Sequence, residues 1–186
     1  MDTPPLPRRK TIRLQNCDYS QNGAYFVTIC TAHKRPLFGV VRRGDPFGRP
    51  PVPAYVELSE TGRIVESYLT EIPSHYPDVH LASYVIMPDH IHMILVLTQT
   101  QSQWAGQCPA PTEESDLSCR RGGTPGPPAL PKIINAFKSL TTRKAGTSLW
   151  QRGYYEHILR NQQDFDEAAG YIAGNPVRRM EREGFL

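Results

Sequence analysis

Two apolar runs joined by Pro88-Asp89 predict a β-hairpin in this chain. Tyr84 to Met87 precedes the dipeptide and His90 to Leu97 follows it, and both runs are rich in Val and Ile. Alternate residues of a strand share a face, so we expect His90 and His92 to project together. Two adjacent imidazoles form half of a metal site, although a His-x-His triplet is also typical of two ordinary strand histidines.

The length and composition favour one domain spanning 1–186. The chain has 186 residues, is 39% hydrophobic and has no apolar run long enough to cross a bilayer. Its start shows no apolar leader, and its four cysteines lack Cys-x-x-Cys spacing, so we expect reduced thiols in the cytoplasm. A net charge of +3 is compatible with nucleic-acid binding without requiring it.

Hydrophobic periodicity predicts the element order β-α-β-β-α-β-α. The predicted strands are 24–31, 79–87, 90–97 and one within 149–159, and the first two helices run from Ser59-Glu60 to Pro73 and over 132–145. A last helix is capped by Asn161 or Asp164 and stopped near Gly174 by Asn175-Pro176. This order predicts an α+β, ferredoxin-like (βαββαβ) antiparallel sheet with helices on one face plus an added C-terminal helix. In that plan the first and third strands are central, which puts His90 and His92 in mid-sheet.

Three segments have the composition of connections or tails. Residues 1–13 combine prolines with Arg and Lys and predict a basic N-terminal arm, either solvated or lying on phosphates. Residues 42–54 are rich in Gly and Pro and are predicted to be a loop. Residues 98–131 are rich in Gln, Ser, Gly and Pro and predict a flexible insertion.

The last helix carries Tyr171 and Asn175, four residues apart and therefore on one helix face. Beside two imidazoles, the Asn175 side-chain oxygen could be a third metal ligand, and Tyr171 could address a phosphate on that metal. The alternative is a core aromatic followed by a polar helix end. Gly170 and Gly174 weaken the helix around Tyr171, which indicates either a close approach or a mobile helix.

The chain resembles the single-tyrosine HUH transposases (IS200-like), most closely their REP-associated tyrosine transposase branch. The order and spacing of several pieces carry the resemblance: Gly23-Ala24-Tyr25-Phe26-Val27-Thr28-Ile29, Val85-Ile86-Met87-Pro88-Asp89-His90-Ile91-His92, Trp150-Gln151-Arg152-Gly153-Tyr154-Tyr155-Glu156-His157, and Tyr171-Ile172 with Asn175-Pro176. The resemblance implies the ferredoxin-like fold, metal ligands at His90, His92 and Asn175, and a nucleophile at Tyr171. It also implies cleavage of single-stranded DNA near palindromic REP-like hairpins through a 5′-phosphotyrosine, with Mg²⁺ or Mn²⁺ and no nucleotide cofactor. A bacterial, nucleoid-associated protein acting as a monomer or homodimer is expected.

Candidate DNA-binding side chains are basic or aromatic, namely Arg8, Arg9, Lys10, Arg13, Lys34, Arg35, Lys138, Arg143, Arg152, Tyr154 and Tyr155. Tyr154 and Tyr155 are rival nucleophiles, interpreted here as packing or base-stacking groups. Two other functions stay open. One is a catalytically silent module that binds nucleic-acid hairpins, since the βαββαβ plan is shared with RNA-recognition domains. The other is a metal phosphodiesterase without a covalent step.

Overall fold

Buried residues at every second position of one strand place that strand at the centre of an antiparallel sheet. The computed structural model describes residues 23–44, 53–98 and 130–184. Its strands are β1 (Gly23–Cys30), β2 (Gly39–Arg42), β3 (Tyr55–Leu58), β4 (Val79–Met87), β5 (His90–Leu97) and β6 (Tyr155–Leu159). Its helices are α1 (Glu60–Thr70), α2 (Ile72–His75), α3 (Leu130–Ala145) and α4 (Gln162–Arg182), with a 3-10 turn at Ala32–Lys34.

The main sheet has the strand order β4-β5-β1-β6, with every neighbouring pair antiparallel. This is the ferredoxin-like order, and β1 and β5 are its central strands. The predicted fold class is therefore confirmed. The bounds of β4 and β5 also agree with the sequence prediction, because the Pro88-Asp89 turn separates two strongly apolar runs.

The two faces of the sheet are covered unequally. On one face, β1 and β5 contribute fully buried side chains such as Val27, Ile29 and Met93, which pack under α1 and α3. Each aliphatic side chain buried in this way contributes about 1.5–3 kcal/mol. On the other face, α4 covers a smaller cluster centred on Ile94, Leu159 and Ile172. His90 and His92 belong to this second face, since they alternate with Ile91 and Met93.

A small second sheet was not predicted. β2 and β3 pair antiparallel, whereas the sequence prediction assigned 42–54 to a loop and no strand to its flanks. Both strands are short, and their apolar alternation is too brief to distinguish them from a loop. An ion pair between Arg42 and Glu57, with Nε 2.5 Å from Oε2, joins the two strands.

Two prolines predicted to end helices do not do so. Pro73 lies in the first turn of α2, where its missing N–H has no intrahelical partner to lose, and α1 already ends at Thr70. Pro176 lies inside α4, which continues to Arg182 instead of stopping near Gly174. The buried side chains of Pro176 and Met180 and a contact from Arg179 to Asp89 hold the second half of α4 in place. Tertiary packing therefore outweighs the local preference of proline.

Smaller differences concern element ends. The fourth strand is confined to β6, and Trp150 makes an isolated bridge to Thr31 instead of starting that strand. The segment predicted as a 98–131 insertion ends earlier, because α3 already begins at Leu130, which is fully buried. Asn161 caps α4 as predicted, with its Oδ1 accepting from the Asp164 N–H at 2.8 Å. No helix within the described ranges has the length and apolar character needed to span a membrane.

Candidate metal and tyrosine site

The turn at Pro88-Asp89 brings His90 and His92 onto the face of the sheet that α4 covers. His92 is paired across the strands with Val85 on one side and Thr28 on the other. The two imidazole centroids are 4.6 Å apart. His92 is only 6% exposed, whereas His90 is half-buried. The predicted geometry of the histidine pair, one pleat apart on one face, is therefore observed.

Each imidazole is held through its Nδ1 atom. His90 Nδ1 lies 2.7 Å from Asp89 Oδ1, and His92 Nδ1 lies 2.7 Å from Thr28 Oγ1. A hydrogen bond at Nδ1 orients the ring and leaves the Nε2 lone pair for a ligand. This is the arrangement that outer hydrogen-bond partners of metal-binding histidines have.

Burial favours the neutral imidazole at His92. Burial, with a smaller contribution from the neighbouring His90, lowers the pKa of His92 to about 3. Burial raises the pKa of Asp89, but the hydrogen bond and charge interaction with His90 and the Arg179 guanidinium outweigh it, so the pKa of Asp89 is lowered overall. At neutral pH the pocket therefore offers a neutral nitrogen ligand next to a carboxylate.

Tyr171 lies in α4 directly above the histidine pair. Its ring is 5.3 Å from the His92 ring and 6.1 Å from the Phe26 ring, in edge-to-face arrangements. The guanidinium carbon of Arg178 lies 5.0 Å from the Tyr171 ring centroid, within cation–π range. Tyr171 remains 39% exposed, so its side chain is not enclosed in a core. This exposure argues against a purely structural aromatic.

Asn175 lies between two contacts that fix its place. One turn earlier Tyr171 contacts His92, and one turn later Arg179 Nη1 lies 3.5 Å from Asp89 Oδ2. One helical turn advances about 5.4 Å, so Asn175 lies on the same helix face as these two contacts and therefore beside the histidine pair. Its side chain is 2% exposed, and its placement excludes the predicted alternative of a polar helix end.

Among the residues that the structure describes, two buried polar atoms at this site have no hydrogen-bond partner, namely His92 Nε2 and Asn175 Oδ1. An unpaired buried acceptor costs about 1–3 kcal/mol, so such atoms need an explanation. A nitrogen and an amide oxygen are both ligands for divalent ions, and a shared cation would satisfy them together. Within the described residues no cluster of three or more His, Cys, Asp or Glu side chains that could hold a metal ion is found.

The predicted DNA-binding residues are distributed around the molecule. Arg8, Arg9, Lys10 and Arg13 lie outside the described residues. Lys34 and Arg35 are exposed after β1, and Lys34 has a φ of 53°, unusual for a non-glycine residue. Arg143 and Arg152 are exposed and line a groove of about 540 Å³ together with Lys138 and Trp150.

Three of these predicted residues have roles in the fold or near the site. Lys138 Nζ donates to the carbonyls of Gln151 and Gly153 at 2.8 and 2.9 Å, so it also secures the turn before β6. Burial lowers the pKa of Lys138. Tyr154 packs against the main core, as the packing interpretation predicted. Tyr155 is 55% exposed on the same face as His92.

Sequence reasoning missed Thr28, Asp89, Arg178 and Arg179 as site residues. Asp89 carried a signal, because an acidic residue directly before a histidine can orient its ring. Thr28 is 64 residues from His92, and only the register of β1 against β5 brings them together. Arg178 and Arg179 were hidden by the prediction that the helix ends before Pro176.

No family model matches the chain, but individual proteins do. An uncharacterised Haemophilus influenzae protein is 30% identical over 177 residues, which cover 92% of this chain and 90% of that protein. A second Haemophilus influenzae protein, provisionally named a REP-associated tyrosine transposase, is 27% identical over 161 residues, covering 87% of this chain and 74% of that protein. The solved structure of a REP-associated tyrosine transposase bound to a REP hairpin superimposes with a TM-score of 0.52 at 18% identity, covering 90% of this chain and 74% of that chain.

The chain therefore shares its ferredoxin-like fold with this REP-associated tyrosine transposase, and it places a histidine pair on a central strand with a tyrosine helix across it. The chain belongs to one family with the uncharacterised Haemophilus influenzae protein, and it is similar to the Haemophilus influenzae protein provisionally named a REP-associated tyrosine transposase.

Proposed function

We propose that the chain is a metal-dependent, single-stranded DNA endonuclease and strand transferase whose nucleophile is Tyr171. The observation that carries this proposal is the pair of unpartnered buried ligand atoms, His92 Nε2 and Asn175 Oδ1, beside a partly exposed phenol. A passive nucleic-acid binder has no use for two such atoms, and leaving them unpaired would only lower its stability.

His90 and His92 would hold the divalent ion through Nε2, and Asn175 through Oδ1. When bound, Mg²⁺ or Mn²⁺ would polarise a phosphoryl oxygen and orient the phosphodiester. Asp89 and Thr28 keep the two rings in the tautomer and orientation that this requires. Asn175 is carried by the same helix as Tyr171, so the helix aligns ligand and nucleophile together.

In the proposed reaction the Tyr171 hydroxyl oxygen attacks the phosphorus atom of the scissile phosphodiester. A bond forms between the tyrosine oxygen and phosphorus, and the bond from phosphorus to the 3′-oxygen breaks. The phenol proton passes to solvent, and the leaving 3′-oxygen takes up a proton to become a hydroxyl. The product is a 5′-phosphotyrosine, which a 3′-hydroxyl of DNA can reverse. No nucleotide cofactor is needed, since the phosphotyrosine retains the energy of the original bond.

The proposed substrate is single-stranded DNA next to a palindromic hairpin. The relative whose fold this chain shares was solved with a REP hairpin. Exposed cationic side chains at Arg35, Arg143 and Arg152 would contact phosphates and make the affinity depend on salt. Because the proposed substrate is DNA, we expect the protein to be cytoplasmic and associated with the nucleoid.

The proposal is tested with labelled hairpin oligonucleotides from the flanks of the chain's own gene, incubated with Mn²⁺. Wild-type protein is expected to carry the label to protein mass on a denaturing gel, and Tyr171→Phe is expected to bind but form no adduct. Tyr154→Phe and Tyr155→Phe are matched controls that retain the adduct. Cleavage without an adduct would indicate the metal phosphodiesterase, and binding without cleavage would indicate the silent hairpin binder.

A further inference from the structure

A cavity of about 460 Å³ opens beside Tyr171, between the sheet and the first half of α4. Phe26, Leu159 and Ala168 supply apolar lining, and Tyr171 itself also lines the cavity. Its volume is in the range of small-ligand pockets. Any group bound there would therefore lie next to the hydroxyl that we propose as the nucleophile.

Two aromatic side chains of β6 line this cavity. Tyr155 and His157 are two residues apart on one strand, so they point to the same face, and both line the cavity. Tyr155 is 55% exposed, although it lies on the face of the sheet that α4 covers. An exposed aromatic side chain that lines a cavity is a surface on which a flat unpaired base can stack.

Two carboxylates of α4, Asp164 and Glu167, complete the lining. Asp164 is engaged in the helix cap, where its Oδ2 accepts from the Arg160 N–H at 3.1 Å. Glu167 Oε1 accepts from Gln163, and within the part of the chain that the structure describes its Oε2 has no partner. Carboxylates repel a phosphate, but they accept hydrogen bonds from the amino groups of adenine, cytosine and guanine.

We propose that this cavity binds one unpaired nucleobase next to the scissile phosphate, and that Glu167 selects a base with an exocyclic amino group. Tyr155 and His157 provide the stacking surface, and Glu167 accepts the hydrogen bond. This assignment rests on the proposed function, because only a nucleophilic Tyr171 makes the neighbouring nucleotide the one at the cleavage point.

The first test uses a pool of hairpins with a randomised single-stranded tail. Covalent adducts formed with Mn²⁺ are isolated and their tails sequenced. Wild-type adducts are expected to be enriched at least fivefold for adenine, cytosine or guanine over thymine at one position beside the cleavage point. Glu167→Gln is expected to lose this enrichment, because the amide also presents donors.

Asp166→Asn is the matched control, since Asp166 is exposed on the same helix and does not line the cavity. An unchanged preference in Glu167→Gln, or an equal loss in the control, overturns the proposal.

The second test does not depend on cleavage. Tyr171→Phe protein is photo-crosslinked to hairpins with 5-iododeoxycytidine at successive tail positions, and the crosslinked peptide is mapped. We expect one tail position to crosslink to Tyr155 or His157, and Tyr155→Ala to bind that hairpin at least tenfold more weakly. Tyr55→Ala, at an exposed tyrosine of β3 that does not line the cavity, should leave binding unchanged.

The two tests separate the base site from the proposed function. If adducts form but the crosslinks map outside the cavity, the base site is refuted and the proposed nuclease activity is retained. Crosslinks in the cavity without adducts retain the cavity as a base-binding site, but refute both the nuclease and the position of the base beside a scissile phosphate. The absence of both refutes both.

Discussion

At the scale of single residues, the hydroxyl of Thr28 keeps one imidazole in a defined state. Thr28→Val removes the partner of His92 Nδ1 at almost constant volume. Losing such an outer hydrogen bond typically lowers metal affinity about 10–100-fold, and we expect this for Mn²⁺ measured by titration calorimetry. Thr28→Ser retains the hydroxyl and should bind as wild type. Equal Mn²⁺ affinity in Thr28→Val would show that Thr28 does not orient the ligand.

The proposed ligand set also predicts a preference between ions. Two imidazole nitrogens and one amide oxygen suit Mn²⁺ better than Mg²⁺, which favours an all-oxygen octahedron. We therefore expect half-maximal adduct formation at a lower concentration of Mn²⁺ than of Mg²⁺. Equal or reversed requirements in a parallel titration would count against His90, His92 and Asn175 as the ligands.

Local spacing predicted some parts of the site and could not predict others. The common face of His90 and His92 and that of Tyr171 and Asn175 follow from the strand and helix periods. The meeting of Thr28 with His92 depends on strand register, which is a property of the folded sheet. The contact of Arg179 with Asp89 spans 90 residues and required α4 to continue past Pro176. The chemical roles of these residues remain predictions.

At the scale of elements, Gly62 lies where α1 approaches the backbone of Phe38, the residue before β2. A Cβ at Gly62 would lie 2.1 Å from the backbone oxygen of Phe38. Both atoms are fixed to the backbone, so relieving this clash requires the backbone to shift. Helix propensity alone favours alanine by about 1 kcal/mol, but we expect Gly62→Ala to lower the free energy of unfolding by about 1–3 kcal/mol through overpacking. Urea denaturation measures the change.

A glycine of α4 is the matched control. A Cβ at Gly170 has no atom within 4 Å, so Gly170→Ala should raise the free energy of unfolding by about 0.5–1 kcal/mol. This open space also shows that no described part of the chain approaches Gly170 closely. We expect the free energy of unfolding to fall in Gly62→Ala and to rise in Gly170→Ala. A rise in Gly62→Ala would contradict the close approach to Phe38.

Element prediction succeeded where the apolar pattern was long and failed where it was short. β4 and β5 follow from two extended Val- and Ile-rich runs on either side of one turn. β2 and β3 span four residues each, and their stability comes from pairing with each other and packing near α1. The sequence predicts too short an α4, because the local effect of Pro176 on the backbone favours a helix end. The tertiary contacts of the residues after Pro176, which keep the helix intact, are visible only in the fold.

At the scale of the whole molecule, His92 makes metal-free protein sensitive to acid. Its pKa is lowered from 6.5 to about 3 in the fold, so the unfolded chain binds a proton that the folded chain excludes. Above pH 6.5 both states are neutral and stability is unaffected. As pH falls from 6.5 towards 3, unfolding becomes progressively favoured, by about 2 kcal/mol at pH 5.

Urea unfolding in the presence of a chelator at pH 7 and pH 5 measures this effect. Wild type is expected to lose about 2 kcal/mol between the two conditions, and His92→Gln should lose substantially less, because glutamine does not titrate. The quantity compared is the change in the free energy of unfolding between pH 7 and pH 5 within each protein. A lower overall stability of His92→Gln therefore does not obscure it. An identical pH dependence in both proteins would refute the burial of neutral His92.

The unequal covering of the two sheet faces has a consequence for hydrogen exchange. α4 is attached through the small cluster around Ile94, Leu159 and Ile172, whereas the histidine strand is anchored in the main core. Segments with fewer buried apolar contacts open locally at a lower free energy than the molecule unfolds. The amides of α4 should therefore exchange before those of β1 and β5. We therefore expect Tyr171 to separate from the imidazole pair while the sheet stays folded, so that the two parts of the site come together reversibly.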